Sequence, residues 1–404
     1  SRGDNTSPFG SDLGFQYFPS ASVSWVLSEE EFFPDLSFLS AFRVRTAWGQ
    51  AGLRPGFRQA VTLFSPTTVA VNGGDQPGVA LSTTGNDLLK QETTTEIEFG
   101  FDAGLFGDRV SLDFTYYDKE SQDALISRRL PGSLGLTTSV LQNLGSIRNW
   151  GTELSMRIDV VQTDLVGVNI GFTNTTVNNE VTELGDDVED IIFNRGLQRH
   201  KEGYSAGSFF QRRVTWNDAD GNGLLGRNEV ELGDDDEFIG VAIPKWQRSV
   251  FADVRLLDFI TVSTLFEGRG GHLTGNDSEA FRCGWSSSRG CRAVADPNAS
   301  LEMQAAYIAD RFLGSAYLYV EPADFWRWRE LSVSINVPES IEQRFSALEG
   351  LRLTLAGRNL ATFTDYTGLD PETVEGGGNA NFSQSEFNTQ PPVRYFMIRF
   401  DYSF

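Results

Sequence analysis

No stretch of this chain offers the roughly 20 consecutive apolar residues that a membrane-crossing helix needs, and the mean hydropathy is -0.26. If the chain crosses a bilayer, it does so with strands. Histidine is nearly missing. His200 and His272 are the only two, and neither sits at a metal-ligand spacing. Positive charge is short as well: 33 Lys and Arg against 55 Asp and Glu leave a formal net charge of -22. That balance argues against nucleic acid or anionic lipid as a partner. No Ser or Cys nucleophile motif accompanies either histidine, so no catalytic constellation is found and no enzyme is expected. The chain opens at Ser1 without an initiating Met, a charged n-region or an apolar h-region. The expectation is a removed signal or a portion of a longer polypeptide.

Cysteine is limited to Cys283 and Cys291, in FRCGWSSSRGC. A pair so close among Gly, Ser and Arg is expected to close a small disulfide loop in an oxidising compartment, for which chain entropy gives roughly 2–3 kcal/mol. Aromatic residues, by contrast, are plentiful. They make up 12% of the chain, including 31 Phe, and the interfacial girdles of a membrane barrel use such rings.

Period-two alternation recurs throughout. In the terminal VRYFMIRFDYSF, Phe396, Ile398, Phe400, Tyr402 and Phe404 share one parity, while Arg399, Asp401 and Ser403 share the other. Successive side chains of a strand face opposite ways, so one face is apolar and the other charged. The same pattern appears in Ala21, Val23, Trp25 and Leu27, and in Phe42, Val44 and Trp48 against Arg43 and Arg45. Ile97, Phe99, Phe101 and Ala103 oppose Glu96, Glu98 and Asp102. After a turn at Phe106, Gly107 and Asp108, Val110, Leu112, Phe114 and Tyr116 oppose Ser111, Asp113 and Thr115. Burying such carboxylates in a dry sandwich would cost several kcal/mol each unless they were paired. Facing a wet lumen costs little, and this selects a large barrel.

Further strands are expected at 150–158, 168–172, 250–254, 260–266, 331–337 and 351–360, giving about eleven. Residues 50–91, 119–147, 174–244 and 268–324 read as long loops without sustained period. Trp326 and Trp328 fall on the wrong parity for the strand after them, which a bulge or an aromatic girdle would explain. Long and short connections alternate, as in an up-and-down barrel with large loops outside the cell and short turns in the periplasm. The fold class is therefore all-β, a transmembrane antiparallel barrel. Because single-chain bacterial barrels have even strand counts, an odd count suggests part of a longer wall.

YFPSASVSW, RVRTAWGQAG, ETTTEIEFGFD, FTYYDKESQDALI, RNWGTELSM, RELSVSINVP, AGRNLATFTDYTGLDPE and the terminal strand resemble, in order, the SusC/RagA family of TonB-linked outer-membrane transporters. The resemblance covers essentially residues 1–404. It implies the C-terminal half of a plugged, 22-stranded barrel, with the plug, the TonB box and the first half of the barrel lying upstream. It also implies import of an oligosaccharide or oligopeptide, a SusD-like surface lipoprotein over the mouth, the TonB complex acting through the plug, and outer-membrane lipid around the wall. The competing expectation is a calcium-stabilised surface protein that binds glycans without transport.

One loop carries metal chemistry in its spacing. Asp218, Asp220 and Asn222 would supply side-chain oxygens to calcium, Leu224 its carbonyl, and Glu229 two carboxylate oxygens, while Gly223 permits the sharp turn. A hard cation needs many oxygens at short range, and this twelve-residue spacing provides them. The flanks do not read as helical, so the expected affinity is weak, on the order of 10⁻⁴ to 10⁻³ M. The run Asp234, Asp235, Asp236, Glu237 reads as a solvated surface. Tyr204, Trp216, Trp285 and Tyr307 read mainly as loop packing, with stacking on cargo as the other option.

Overall fold

The strand register follows from the alternation just described. In the computed structural model, which describes residues 2–4, 16–56, 59–129, 139–143, 145–185, 188–285, 290–345, 350–375 and 383–402, eleven strands form one antiparallel sheet. They are β1 (Ser20–Val26), β2 (Leu39–Leu53), β3 (Glu92–Leu105), β4 (Val110–Gln122), β5 (Ser146–Gln162) and β6 (Val166–Glu183). The series continues through β7 (Trp246–Leu256), β8 (Ile260–Gly270), β9 (Phe325–Asn336), β10 (Leu351–Thr364) and β11 (Tyr395–Tyr402). Each strand pairs with its neighbours in the chain, and β1 and β11 are the edges. Residues 403 and 404, expected at the end of the last strand, lie outside the described residues.

Connections at one end are short: 27–38, 106–109, 163–165, 257–259 and 337–350. Those at the other are long: 54–91, 123–145, 184–245, 271–324 and 365–394. The turn at 106–109 places Phe106, Gly107 and Asp108 in succession at φ 59, 68 and 64°. Only glycine takes that conformation freely; the two flanking residues accept it because β3 and β4 fix both sides of the turn.

The two faces of the sheet differ in chemistry. On one, Phe396, Ile398 and Phe400 remain 77, 66 and 70% exposed, and the rings of Phe42, Phe101 and Phe114 touch in sequence at 5.9 and 5.5 Å. An apolar band this large on a solvated surface is unfavourable, by roughly 25 cal/mol for each Å². The other face carries Arg43, Arg45, Asp102 and Asp113. No second sheet packs against this one among the described residues. Among the described residues, the buried apolar clusters lie at the long-loop end, around Val214, Ala305 and Ile308, around Phe209 and Ala242, around Val181 and Ala206, and around Ala280 and Tyr319.

Several loops hold more structure than their sequences suggest. Residues 50–91 contain a hairpin of Leu63–Val71 with Gly74–Thr83, and 119–147 contains the last residues of β4 and a pairing of Leu125–Arg129 with Ser139–Asn143. Within 174–244, β6 runs on to Glu183, and Ile191–Phe193, Gln198–His200, Ser208–Trp216 and Val230–Gly240 make a four-stranded sheet. Residues 268–324 hold the helices α1 (Asp277–Trp285), α2 (Arg292–Ala295) and α3 (Leu301–Ile308). The parity break at Trp326 and Trp328 is a bulge. The register of β9 on β10 shifts between Trp328 and Glu330, and that of β8 on β9 between Leu265 and Phe266. One extra residue on β9 therefore turns both tryptophans onto the face that carries Leu331 and Val333, where Trp328 stacks on Phe266 at 5.5 Å.

Candidate functional site

On the polar face, Asp102 and Asp113 are direct cross-strand partners, an arrangement that would repel if left alone. Arg45 of β2 reaches over β3 and contacts both, and Arg43 also pairs with Asp102. The guanidinium has room because of Gly100: a Cβ there would meet the Phe114 carbonyl oxygen at 2.6 Å and Arg45 Nε at 3.0 Å. Nearer the long loops the wall changes character. A cavity of about 690 Å³ is lined by Glu96, Glu98, Glu153, Lys119, Tyr117 and, from the loop above, His200.

The long loops interlock into a roof. Asn194 donates to Ser385 Oγ at 2.6 Å, the Gln384 amide donates to Gln198 Oε1 at 2.8 Å, and Arg212 donates to the Leu313 carbonyl at 3.1 Å. Arg327, 1% exposed, ties the roof to β9 through Asp370 at 2.6 Å and Glu372 at 3.0 Å. Burial opposes ionisation of Glu372, but Arg329, Arg327 and Arg269 outweigh it and hold the carboxyl below its ordinary range. Cys283 and Cys291 are bonded across the end of α1, eight residues apart.

Both histidines are buried here. Burial pushes His200 down to about 4, and its Nδ1 accepts from the Gly207 amide at 3.1 Å. His272 is also pushed down to about 4, mainly by burial, with Asp324 opposing and Arg269 assisting. Burial likewise raises the Asp310 carboxyl. Tyr204 packs on Phe210 and Phe238, each at 5.1 Å, and Trp216 and Tyr307 pack on the cluster around Ala305. These rings serve loop packing; the Trp285 side chain lies outside the described residues. Asp234, Asp235, Asp236 and Glu237 lie exposed on one strand, with Asp236 pairing to Arg199.

The acidic loop joins Ser208–Trp216 to Val230–Gly240, and its carboxylates converge. One oxygen each from Asp218, Asp220 and Glu229 lie within 4.8 Å of one another. The turn is tied by its own backbone: Asp218 accepts from the Gly223 amide at 2.9 Å and the Asn222 amide at 3.2 Å, and Asn222 Oδ1 accepts from the Leu224 amide at 2.6 Å. Glu229 accepts from the amides of Ala219 at 3.0 Å and Gly226 at 2.7 Å. Gly221 and Gly223 stand at φ 68 and 78°, which few other residues take. The Gly223 amide, followed by other contacts of the turn, holds the Asp218 carboxyl below its ordinary value. Gln304 of α3 braces the loop, accepting from the Leu225 amide at 2.8 Å and donating to the Gly223 carbonyl at 3.0 Å. The donor set is all hard oxygen, without imidazole or thiolate, and so suits calcium better than zinc. Sequence spacing located this loop but not Gln304, whose partners lie about 80 positions away. It also missed the Arg327 network, although Asp370 and Glu372 fall inside the GLDPE stretch.

Comparison with known proteins agrees with this geometry. The family model "TonB dependent receptor-like, beta-barrel" matches residues 1–360. TonB-dependent receptor P3 of Formosa agariphila is 27% identical over all of this chain, which spans 43% of that protein. TonB-dependent receptor SusC of Bacteroides thetaiotaomicron is 24% identical over 94% of this chain and 40% of its own length. The chain thus spans under half of these relatives. Among solved structures, the RagAB peptide importer in its closed-closed state superposes with a TM-score of 0.78 at 21% identity, over 98% of this chain and 44% of that one.

Proposed function

We propose that this chain, which belongs to the TonB-dependent receptor β-barrel family, supplies half of the wall and much of the mouth of a SusC/RagA-type importer in the outer membrane. The observation that carries this reading is the two-faced sheet, with Phe396, Ile398 and Phe400 exposed on one side and Arg45, Asp102 and Asp113 ion-paired on the other. The apolar face meets outer-membrane lipid and the polar face lines the import path. About eleven further strands and a plug would complete the barrel, and TonB would act on that plug. The interlocked roof is the docking face for a SusD-like lipoprotein.

The cargo is a nutrient of the oligosaccharide or oligopeptide class. Glu96, Glu98 and Glu153 line the upper wall beside one lysine, which favours neutral or positively charged cargo over acidic cargo. In the acidic loop, Asp218, Asp220, Asn222 and Glu229 would hold calcium through side-chain oxygens and Leu224 through its carbonyl. Bound calcium would supply the positive charge that three converging carboxylates lack.

The experiment is uptake of labelled oligosaccharides and oligopeptides by cells carrying the whole receptor, with TonB present or deleted. TonB-dependent uptake of either class is expected, with the receptor extractable only in detergent. A protein freely soluble in buffer that binds glycans but imports nothing would overturn this reading.

A further inference from the structure

Where the 271–324 and 365–394 loops meet, the carboxylates of Asp277, Glu321, Asp370 and Glu386 all bear on the phenol of Tyr366. Gly275 and Asn276 pair in parallel with Ser385 and Glu386, which seats Glu386 beside Asn276. The Asn276 amide donates to Glu321 Oε1 at 3.0 Å and to Thr367 Oγ1 at 3.1 Å, drawing Tyr366 into the same place. Glu386 is 0% exposed, Asp277 2%, Asp370 6% and Tyr366 6%.

Two of these charges are balanced. Asp277 pairs with Arg195 and Asp370 with Arg327. Glu321 receives only neutral donors, from Asn276 and from the amide and hydroxyl of Thr367. Glu386 accepts from Ser278 Oγ at 2.6 Å through Oε1 alone. Among the described residues, no basic side chain pairs with Glu321 or Glu386.

Two atoms are then left over, Glu386 Oε2 and the Tyr366 hydroxyl, both buried and both without a hydrogen-bond partner. They belong to different chemical groups on different stretches of one loop. Burial, then the nearby Glu386, pushes the Tyr366 phenol upward, so it stays neutral with its oxygen lone pairs available. A desolvated carboxylate without a counter-charge is strongly disfavoured, and roofs built this tightly do not tolerate one for nothing.

The geometry points to a metal cation lodged between Glu386 Oε2 and the Tyr366 oxygen, with Glu321 adding charge balance. Every free donor there is oxygen, so the ion is hard, sodium or calcium, and not zinc or copper. Such an ion would fasten two stretches of the 365–394 loop to each other and, through the charge of Glu321, hold that loop against 271–324. It is separate from the acidic loop, which uses neither of these residues.

The test is thermal unfolding of the full polypeptide in detergent, in choline, sodium or calcium chloride at matched ionic strength. The protein carries Asp218→Asn and Glu229→Gln, so that the acidic loop is silent. Sodium or calcium should raise Tm by about 4 °C or more over choline. Glu386→Gln, which keeps the side-chain length and the Ser278 contact, should abolish the rise, and Tyr366→Phe should reduce it. Equal melting in all three salts would overturn the assignment, as would a rise that survives both substitutions. Should Glu386→Gln fail to assemble, Tyr366→Phe decides alone, since it removes one oxygen and leaves the ring in place.

Discussion

Arg45 grips Asp113 with both prongs of its guanidinium, Nη1 to Oδ2 and Nη2 to Oδ1, each at 2.9 Å. The same group also holds Asp102, so a single arginine settles two carboxylates that sit opposite each other in the ladder. Arg45→Met should therefore destabilise the wall by on the order of 1 kcal/mol, the modest figure suited to a partly solvated pair. Adding Asp113→Asn should recover most of the loss. The measurement is the urea midpoint of the detergent-solubilised protein, and the effect should shrink at high salt.

Arg327 belongs to a different regime, because it is almost wholly buried between Asp370 and Glu372. Arg327→Met leaves two carboxylates beside an apolar side chain and should cost about 3–5 kcal/mol. Protease cleavage within 365–394 should rise sharply while the strands stay intact. Arg327→Met combined with Asp370→Asn should cleave more slowly than the single variant.

The two buried histidines predict a pH dependence of the roof. Each ring is held near pKa 4, while an unfolded histidine titrates near 6.5. Between those values the unfolded chain binds more protons than the folded one, so stability falls as pH drops from 6.5 to 4 and is level on either side. The full loss is about 3 kcal/mol per histidine. Tm measured from pH 7 to pH 4 should trace that slope, and His200→Gln with His272→Gln should flatten it.

Calcium titration should give a binding isotherm in the range of about 10⁻⁴ to 10⁻³ M. Glu229→Ala should remove this signal, and Asp218→Asn should weaken it by tenfold or more. Because the folded loop keeps the Asp218 carboxyl below its ordinary value, binding should hold at pH 5 and fail only below roughly pH 4. Calorimetry without heat at pH 7 would remove calcium from the loop.

Reducing the bond between Cys283 and Cys291 should loosen 271–324 by about 2–3 kcal/mol, the chain-entropy value for so short a loop. Limited proteolysis with and without reductant reads this directly. A Cys283→Ser, Cys291→Ser protein should match the reduced form.

The wall was legible because its physics is local. A strand with one face in oil and one in water must alternate, and β3, β4 and β11 do so over most of their length. The roof was not, because its contacts are remote: Asn194 meets Ser385 across 191 positions. The hairpin of Leu63–Val71 and Gly74–Thr83 did carry a local signal, with Asn72 and Gly73 at φ 52 and 79° in the turn. Pro66 and Pro77, one on each strand, masked it. The acidic loop was readable from its spacing, whereas Glu386 and Tyr366 had no signature. Their relationship exists only once the 365–394 loop has folded back on itself against 271–324.

The remoteness of Ser385 from Asn194 also fixes an order of events. Asn194 and Gln198 gain their clasp only when Ser385 and Gln384, about 190 positions further along the chain, have reached the same end of the wall. Until both are in place, that end of the wall stands unlatched and open to proteolysis. A stalled assembly should therefore be clipped in these loops and not in the strands beneath them.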